Sequence, residues 1–337
     1  MKQRLLGRTG IRVSQIGLGT MTFGTMADEA TAHRCLDRAF DAGVDFIDLA
    51  EVYPVPPDPS YAGLTEQICG RWLKSRPRDA VIVATKVAGP SGGWFRGPVR
   101  EGKTALDRHH IERAVEDSLR RLGTDYVDLY QTHWPDPDVP TEATLEALDR
   151  LVDDGKVRAV GCSNESAYGL VKSLWMADRH GTVRYETIQN NYSLLNRRFE
   201  DELAAVCRNE RISLLAYSPI GGGVLSGKYQ DGWPDGARFT KYRDHDARTQ
   251  TMTRRFVSER TRAVTARVHE IAAECGLDPV TFSIAWTLTK DFVGSTLIGV
   301  TREEQLDAHL AAADAKIPAD ALKRCDELAR EIPYPMG

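Results

Sequence analysis

The amino-acid sequence predicts an α/β protein: a (β/α)₈, or TIM, barrel with an N-terminal β-hairpin, a long loop after its seventh strand and an extra C-terminal helix. Eight short and almost wholly apolar segments recur along the chain, and amphipathic stretches with helical period separate them. Such segments are too short for buried helices and are typical of parallel strands covered on both faces. Eight strand–helix units in 337 residues favour closure into a barrel.

The predicted barrel strands are residues 15–19, 44–49, 80–85, 127–131, 157–161, 187–189, 212–217 and 295–299. The predicted helices are residues 29–42, 64–74, 108–122, 142–154, 166–179, 200–208 and 302–312. Several of these helices are followed by a glycine that can take the left-handed conformation at a helix end, namely Gly43, Gly123, Gly155 and Gly181. This alternation of strand and helix predicts a parallel sheet with crossover helices.

Three segments depart from the alternation. Residues 4–13, with Arg8-Thr9-Gly10 at their centre, predict a small hairpin before the first barrel strand. Residues 219 to about 254 lack an apolar period and predict a long irregular loop on the carboxyl face of the barrel, where barrel enzymes place their active sites. Residues 319–330 predict the additional helix. We expect one domain over residues 1–337; a boundary near residues 135–140 is disfavoured because the alternation continues through it.

Composition and charge exclude several classes of protein. A net charge of -4 and a pI near 6.1 give no general basis for binding nucleic acid or membranes. The polar first eleven residues do not resemble a signal peptide, and no apolar run approaches the roughly 20 residues of a membrane span. Six scattered cysteines without a Cys-x-x-Cys pair predict reduced thiols. We therefore expect a cytoplasmic protein, and the sequence predicts no metal site.

Four polar or titratable residues lie at or just beyond the ends of predicted strands: Asp48, Tyr53, Lys86 and His133. All strand ends of a parallel barrel face the same way, so these residues are expected to converge at one mouth. Taken singly, the aspartate is also consistent with a helix cap or an ion pair, the histidine with a structural loop residue, and the tyrosine with an interface. The set is more specific than its members.

Together the four side chains predict a proton-transfer site. The phenol of a tyrosine has a pKa of about 10, and a nearby cation lowers it. Lys86 can be that cation for Tyr53, Asp48 can keep Lys86 charged and oriented, and His133 can donate a hydrogen bond to a carbonyl oxygen as negative charge develops there. The set supplies no hydride, so a cofactor must. A Schiff-base aldolase that uses Lys86 is the alternative enzyme, but it leaves Tyr53 and His133 without a role.

No dinucleotide-binding fingerprint of the Rossmann type is present. The segment Gly17-Leu-Gly19-Thr-Met-Thr22 lacks the third glycine, and Gly221-Gly222-Gly223 lacks the lysine and hydroxyl residue of a phosphate-binding loop. A dinucleotide is therefore expected to lie extended across the barrel mouth.

Other predicted strand ends carry groups suited to such a cofactor. Ser163, Asn164 and Gln189 can bond a carboxamide, and Tyr217 can stack on a nicotinamide ring. Residues 218–228 offer backbone N–H groups and a lysine to a pyrophosphate. Beyond the eighth strand, Thr301 and Arg302 open a helix whose N-terminus suits an anion, and Arg302 could read a 2′-phosphate, which favours NADPH over NADH. A plain N-cap and a solvated surface charge are the respective alternatives.

These residues resemble the aldo-keto reductase superfamily. The four strand-end residues match its catalytic tetrad, and further matches are Gly17-Leu-Gly-Thr-Met-Thr-Phe-Gly24, Gly161-Cys-Ser-Asn164, Ile188-Gln-Asn190, Tyr217-Ser-Pro219, Gly227-Lys-Tyr229 and Gly299-Val-Thr301 with Gln305. The phrases Ala50-Glu-Val-Tyr-Pro-Val-Pro-Pro57, Lys86-Val-Ala-Gly-Pro90 and Tyr192-Ser-Leu-Leu-Asn196 resemble most the bacterial Tas-type branch, which is related to potassium-channel β subunits.

The resemblance implies NADPH-dependent reduction of a small aldehyde or ketone, with Tyr53 as the acid. It implies a substrate site at Tyr53, His133 and Trp134. The implied cofactor site comprises Gly19, Thr20, Met21, Asp48, Ser163, Asn164, Gln189, Tyr217, Ser218, Pro219, Gly221, Gly223, Leu225, Lys228, Gly299, Thr301, Arg302 and Gln305. A regulatory subunit that holds NADPH and turns over slowly is the alternative function. No heptad or large apolar stripe stands out, so no oligomeric state is predicted.

Two departures from the family's pattern limit the inference. His309 occupies a position where the family often has asparagine, and the loop at residues 134–140 is short for this branch. This loop borders the expected substrate pocket, so the substrate is not carried over from the family. Five residues could line an aromatic pocket or pack in the core: Met21, Phe23, Trp94, Trp134 and Tyr192.

Overall fold

Eight parallel strands close into a barrel at the centre of the computed structural model, which describes residues 1–90 and 97–336. In chain order after an N-terminal hairpin, β1 (Gln3–Leu5) and β2 (Arg12–Ser14), the barrel strands are β3 (Ile16–Gly19), β4 (Phe46–Asp48), β5 (Ile82–Val87), β6 (Val127–Thr132), β7 (Val157–Ser163), β8 (Tyr185–Asn191), β9 (Ser213–Tyr217) and β10 (Val293–Gly299). Each strand pairs with the next, and β10 closes on β3. The predicted (β/α)₈ barrel is confirmed.

The hairpin covers the amino-terminal end of the barrel. Its two strands are antiparallel, as predicted, and Leu6, Ile11 and Val13 pack in one cluster with inward-facing strand residues such as Phe46 and Leu129. Because apolar side chains close this end, the opposite, carboxyl end is the one left open to ligands.

The helices surround the barrel. They are α1 (Glu29–Asp41), α2 (Leu64–Leu73), α3 (Arg108–Leu122), α4 (Thr141–Asp153), α5 (Ala167–His180), α6 (Leu203–Glu210), α7 (Arg238–Arg243), α8 (Ala247–Phe256), α9 (Glu259–Glu274), α10 (Pro279–Leu288), α11 (Leu306–Ala311) and α12 (Ala319–Glu331). Their ends follow local chemistry. In α3, for example, the Asp107 side chain accepts from the backbone N–H of His110, and Gly123 ends the helix at a φ of 66°.

The segment after β9 is not the irregular loop that the sequence predicted. It contains a 3₁₀ helix at Gly221–Ser226 and the helices α7 and α8. The α8 helix begins with a capping box between Asp246 and Thr249, and its buried residues are Thr249, Thr253 and Phe256. Because two of these three buried side chains are threonines, the helix shows little apolar period.

Two further helices before β10 were absent from the prediction. Threonines contribute to the buried face of α9 at Thr261 and Thr265, which weakens its pattern. The α10 helix is buried on nearly every side from Thr281 to Thr287, so it has no polar face to produce a period. The predicted helix at residues 302–312 is in fact a 3₁₀ turn, Glu303–Gln305, followed by the short α11, whereas the C-terminal α12 matches its prediction closely.

Several smaller observations complete the fold. All six cysteines are free, and all but Cys275 are buried. The α5 helix exposes an apolar stripe of Tyr168, Val171 and Trp175. These residues recur with helical period, as the buried residues of the helix do, so the sequence alone did not distinguish them from a buried face. Across residues 1–90 and 97–336, no helix combines the length and apolar character needed to cross a membrane. Trp94 lies outside the described residues.

Candidate active site

Three neighbouring strands, β4, β5 and β6, and the loop after β4 bring the predicted tetrad together at the carboxyl end of the barrel. Asp48 is the last residue of β4, Lys86 lies one residue before the end of β5, and His133 directly follows β6. These strands are neighbours in the barrel, with Asp48 in register with Ala84 on β5. Tyr53 comes from the loop after β4. The parallel topology is therefore the physical reason why residues 85 positions apart in the chain share one mouth.

The Lys86 ammonium is the centre of this group. Its Nζ donates to Asp48 Oδ2 at 2.6 Å, to the Leu49 carbonyl at 2.7 Å and, over a longer 3.4 Å, to Tyr53 Oη. An ammonium has three N–H donors, so these three acceptors use all of them. The side chains of Lys86 and Asp48 are 0% and 4% exposed, and the ion pair is thus withdrawn from water.

Burial changes the proton affinity of Tyr53 in the direction opposite to our sequence-based expectation. Burial raises the pKa of the Tyr53 phenol well above its ordinary value, the Asp48 carboxylate raises it further, and the Arg238 guanidinium opposes both. Burial also lowers the pKa of Lys86, while the ion pair with Asp48 raises it. Tyr53 consequently holds its proton firmly at neutral pH, which is the form required of a proton donor.

His133 is a buried, neutral imidazole beside Tyr53. Burial lowers its pKa well below the ordinary value, and the Lys86 ammonium lowers it further. The two rings meet edge to face, with centroids 5.6 Å apart. His133 Nδ1 is buried without a hydrogen-bond partner among the described residues. A neutral ring carries one N–H donor and one acceptor nitrogen, so it can still donate a hydrogen bond to an incoming oxygen.

Two glutamine amides orient the Asp48 carboxylate. Gln189 Nε2 donates to Asp48 Oδ1 at 2.8 Å, and Gln131 Nε2 approaches the same oxygen at 3.2 Å. Gln189 was a predicted cofactor residue, whereas Gln131 was not predicted at all. Its signal was nevertheless present in the sequence, because Gln131 is the polar last residue of the predicted strand at residues 127–131.

The candidates for a carboxamide contact are joined to one another and to the tetrad. Ser163 Oγ donates to the Gln189 carbonyl at 2.7 Å, and Asn164 Nδ2 donates to the His133 carbonyl at 2.9 Å. Tyr217 Oη donates to Asn164 Oδ1 at 2.8 Å, and burial raises the pKa of Tyr217 to about 12. Asn164 holds a left-handed φ of 57°, a conformation that asparagine tolerates better than most residues. The predicted residues therefore form one connected polar surface.

The residues after β3 support the tetrad from the other side. Gly19 is in register with Asp48, and the N–H and hydroxyl of Thr20 both donate to the Asp48 carbonyl, at 3.1 and 2.8 Å. The Met21 carbonyl accepts from the Val55 N–H at 2.9 Å, close to Tyr53 in the chain. Thr20 is thereby committed to the backbone of Asp48.

A group of cations lies where the segment after β9 meets the end of β10. Partial withdrawal from water and the nearby guanidinium groups of Arg238 and Arg302 lower the pKa of Lys228. Within residues 1–90 and 97–336, none of the three forms an ion pair with a carboxylate. Gly223 has a φ of 98°, and a Cβ there would lie 2.7 Å from Lys228 Nζ. Arg238 was missed by the sequence analysis because it lies in the segment predicted to be irregular.

The remaining predicted cofactor residues differ in what they can offer. The Ser218 carbonyl accepts from the Gly221 N–H at 2.9 Å, which folds the glycine segment back on the end of β9. Leu225 is fully buried in the main core, so its side chain is committed to packing. Pro219 is also buried, and Gly299 is exposed at the end of β10.

The helix entrance at residue 301 is closed by a side chain. Gln305 Oε1 accepts from the backbone N–H groups of Thr301, at 2.8 Å, and Arg302, at 3.3 Å. The free helix N-terminus that the sequence predicted is thus capped by Gln305, and the exposed Arg302 side chain is the group left to meet an anion. His309 is buried beside it, and its Nδ1 contacts the Gln305 carbonyl.

The aromatic candidates divide between core and site. Phe23 and Tyr192 are fully buried in the main core, where Tyr192 stacks on Trp286 with ring centroids 5.2 Å apart. Met21 and Trp134 are partly buried against the small cluster that contains Tyr53. Among the candidates that the structure describes, the last two therefore remain available for contact with a substrate.

Comparison with known families agrees with this fold and site. The chain is a (β/α)₈-barrel oxidoreductase, and it belongs to the aldo/keto reductase family, whose model matches residues 15–330. Members of this family are in general NADPH-dependent oxidoreductases of small carbonyl compounds.

Individual relatives extend over nearly the whole chain. It is 41% identical to Protein tas of Escherichia coli, with 99% of each chain covered. It is 33% identical to the uncharacterized oxidoreductase YrpG of Bacillus subtilis, covering 100% of this chain and 98% of that protein. It is 30% identical to a putative voltage-gated potassium channel subunit beta of Schizosaccharomyces pombe, covering 98% and 94%. The predicted relation to the Tas-type branch is confirmed.

Proposed function

We propose that this protein reduces an aldehyde or ketone to the alcohol with NADPH, and that Tyr53 donates the proton. The observation that carries the proposal is the Lys86 ammonium, which is buried and shared between the Asp48 carboxylate and the Tyr53 hydroxyl. This arrangement keeps a cation beside a phenol that must become negative when it gives up its proton.

The residues present fit the phosphates of NADPH. Lys228, Arg238 and Arg302 gather positive charge without a carboxylate partner among the described residues. Gly223 keeps the backbone open beside Lys228, where any side chain would meet the ammonium. Unpaired cations beside an open backbone are suited to neutralise phosphate charge. When bound, NADPH supplies the hydride that reduces the carbonyl carbon.

The protein's own groups would act on the carbonyl oxygen. His133, neutral at physiological pH, donates a hydrogen bond to that oxygen and holds it near Tyr53. As the oxygen gains negative charge, the Tyr53 hydroxyl transfers its proton to it, and the product is an alcohol. The resulting phenolate is stabilised by Lys86, whose charge Asp48 maintains. Met21 and Trp134, which pack against the cluster that contains Tyr53, would shield this step from water.

Two other functions are weighed against this one. A Schiff base at Lys86 would require a neutral, accessible amine, but this side chain is fully buried and donates to three acceptors. A slow, NADPH-holding regulatory subunit is consistent with the channel-subunit names of two relatives. The turnover rate distinguishes the regulatory subunit from the enzyme. A rate below about one aldehyde per minute across a broad carbonyl panel is far below the usual range for enzymes and would favour the regulatory role.

The test is Tyr53→Phe, with Tyr130→Phe as the matched control. Tyr130 is fully buried, and its hydroxyl lacks a partner among the described residues, so Tyr130→Phe breaks no hydrogen bond and should leave turnover unchanged. We expect Tyr53→Phe to lower kcat for aldehydes by about 10²- to 10⁴-fold while NADPH still quenches tryptophan fluorescence. Unchanged turnover in Tyr53→Phe would refute the role of Tyr53 as acid.

A further inference from the structure

A second buried ion pair lies beside the tetrad and takes no part in the proposed chemistry. Arg100 Nη1 and Nη2 donate to Glu51 Oε2 and Oε1 at 2.6 and 2.8 Å. The Arg100 and Glu51 side chains are 8% and 1% exposed. We propose that this pair is a positioning clamp that fixes the loop bearing Tyr53 against the end of β5.

The clamp joins three segments of the chain. Glu51 lies two residues before Tyr53, and its Oε1 also accepts from the Ala88 N–H, at 2.7 Å, just beyond β5. The Glu51 N–H donates to the Lys86 carbonyl at 3.3 Å. Arg100 brings in the segment that begins at residue 97. One carboxylate thus ties the Tyr53 loop both to the lysine strand and to the next loop.

Apolar packing around Tyr53 follows the same three segments. Ala50, Val52, Tyr53 and Ala88 form a small buried cluster, and Val99, the neighbour of Arg100, packs against it. Glu51 lies between Ala50 and Val52 in the sequence, so one short stretch of backbone holds its carboxylate and the two apolar side chains. Displacing Arg100 would therefore also displace Val99 from the cluster that holds the tyrosine.

The backbone at Arg100 is strained, which indicates that contacts such as the pair with Glu51 hold it in place. Arg100 and Glu101 both have left-handed φ values, 51° and 55°, which non-glycine residues adopt only where surrounding contacts compensate for the strain. A bidentate, buried pair with Glu51 supplies such a contact. The charges that shift the pKa of Tyr53 are Asp48 and Arg238, so Glu51 would act through the position of the loop and not through its field.

The inference rests on the proposed function only for its activity readout. The matched control is Asp128→Asn, at the other end of the barrel. Asp128 is also 1% exposed, accepts from a backbone N–H, that of Val83, at 2.9 Å, and pairs with Arg78 at 2.7 Å. Glu51→Gln and Asp128→Asn therefore make the same chemical change at the two ends.

Both variants are assayed well below their own unfolding temperatures. We expect Glu51→Gln to lower kcat at least about tenfold, with the NADPH Kd within about threefold, and Asp128→Asn to leave kcat within about twofold, because small misplacements of a catalytic group cost one to two orders of magnitude. Hydrogen–deuterium exchange of residues 50–56 should accelerate in Glu51→Gln and not in Asp128→Asn.

Two more variants keep the test decisive if Glu51→Gln does not fold. Arg100→Lys keeps the charge and loses the fork, so it should show a smaller loss of kcat and faster exchange of the same loop. The double variant Glu51→Gln, Arg100→Gln should be no worse than Glu51→Gln alone, because the pair acts as a unit. Normal kcat with unchanged loop exchange in Arg100→Lys and in whichever Glu51 variant folds would overturn the clamp. If the wild-type protein reduces no carbonyl, the proposed function fails, and the loop exchange alone decides the clamp.

Discussion

The two ends of the barrel each bury an aspartate beside positive charge, but the two carboxylates have different partners. At the amino-terminal end, Asp128 accepts from the Val83 N–H, from Arg78 at 2.7 Å and from Arg158. The two arginines among these donors stay charged at any physiological pH. At the carboxyl end, Asp48 pairs with the single ammonium of Lys86, which is itself stretched towards Tyr53 at 3.4 Å.

This difference indicates what each end is for. The Asp128 network at the far end is fully paired, as expected of a network that stabilises the fold. The mouth instead has polar groups whose hydrogen-bonding capacity is not used. The described part of the chain offers no partner to His133 Nδ1 and only a long contact to the Tyr53 hydroxyl. Because the imidazole that carries this unpartnered nitrogen lies beside Tyr53, we expect another molecule to bind there.

The largest expected contrast comes from removing one cation at each end. Lys86→Met should lower kcat by about 10²- to 10⁴-fold, because the Tyr53 phenolate loses its neighbouring charge. Arg78→Met should leave kcat within about twofold, since Arg158 still pairs with Asp128 and no group at the mouth moves. Steady-state kinetics with a saturating aldehyde measure both. An equal loss in the two variants would remove the functional distinction between the ends.

Stability should show the reverse contrast. Asp128→Asn leaves Arg78 without a buried anionic partner and should cost about 3–5 kcal/mol in the free energy of unfolding. Tyr53→Phe removes only a long hydrogen bond and should cost about 1 kcal/mol or less. Urea denaturation followed by tryptophan fluorescence gives both values. A larger cost for Tyr53→Phe would mean that the mouth, too, is built for stability.

Unpaired and paired surface arginines offer a third comparison. Arg302 has no carboxylate partner among the described residues, whereas Arg120 on α3 pairs with Asp117 at 2.8 Å. If Arg302 binds the 2′-phosphate, Arg302→Ala should weaken NADPH binding about tenfold and leave NADH binding within about twofold. Arg120→Ala should change neither. Fluorescence titration of both cofactors checks this, and equal losses for NADPH and NADH would exclude phosphate recognition.

The sequence predicted the barrel and the tetrad because both depend on local pattern. Apolar runs mark the strands, and parallel topology then sends Asp48, Lys86 and His133 to the same end. What it missed depends on distant partners or on an absent period. Arg100 meets Glu51 from 49 positions away, and Arg238 begins a helix too short and polar to be recognised. The direction of the Tyr53 pKa was also wrong, because the depth of burial cannot be read from the residue types.

The smallest expected effect concerns protons at the mouth. Because burial lowers the pKa of His133 in the folded protein, the unfolded chain binds a proton near pH 6.5 that the folded protein refuses. The contribution of His133 to the free energy of unfolding is therefore fully present above pH 6.5. It is lost as the pH drops towards the folded pKa, by at most about 1.4 kcal/mol per pH unit. His309, whose pKa burial also lowers, adds a loss of the same sign. His133→Asn should flatten the slope measured by urea denaturation between pH 7.0 and 5.5, whereas His180→Asn, at an exposed helix end, should not. An unchanged slope in His133→Asn would mean that this imidazole is as well solvated as an exposed one, and the mouth would then lose the buried neutral donor that distinguishes it from the charged, saturated far end.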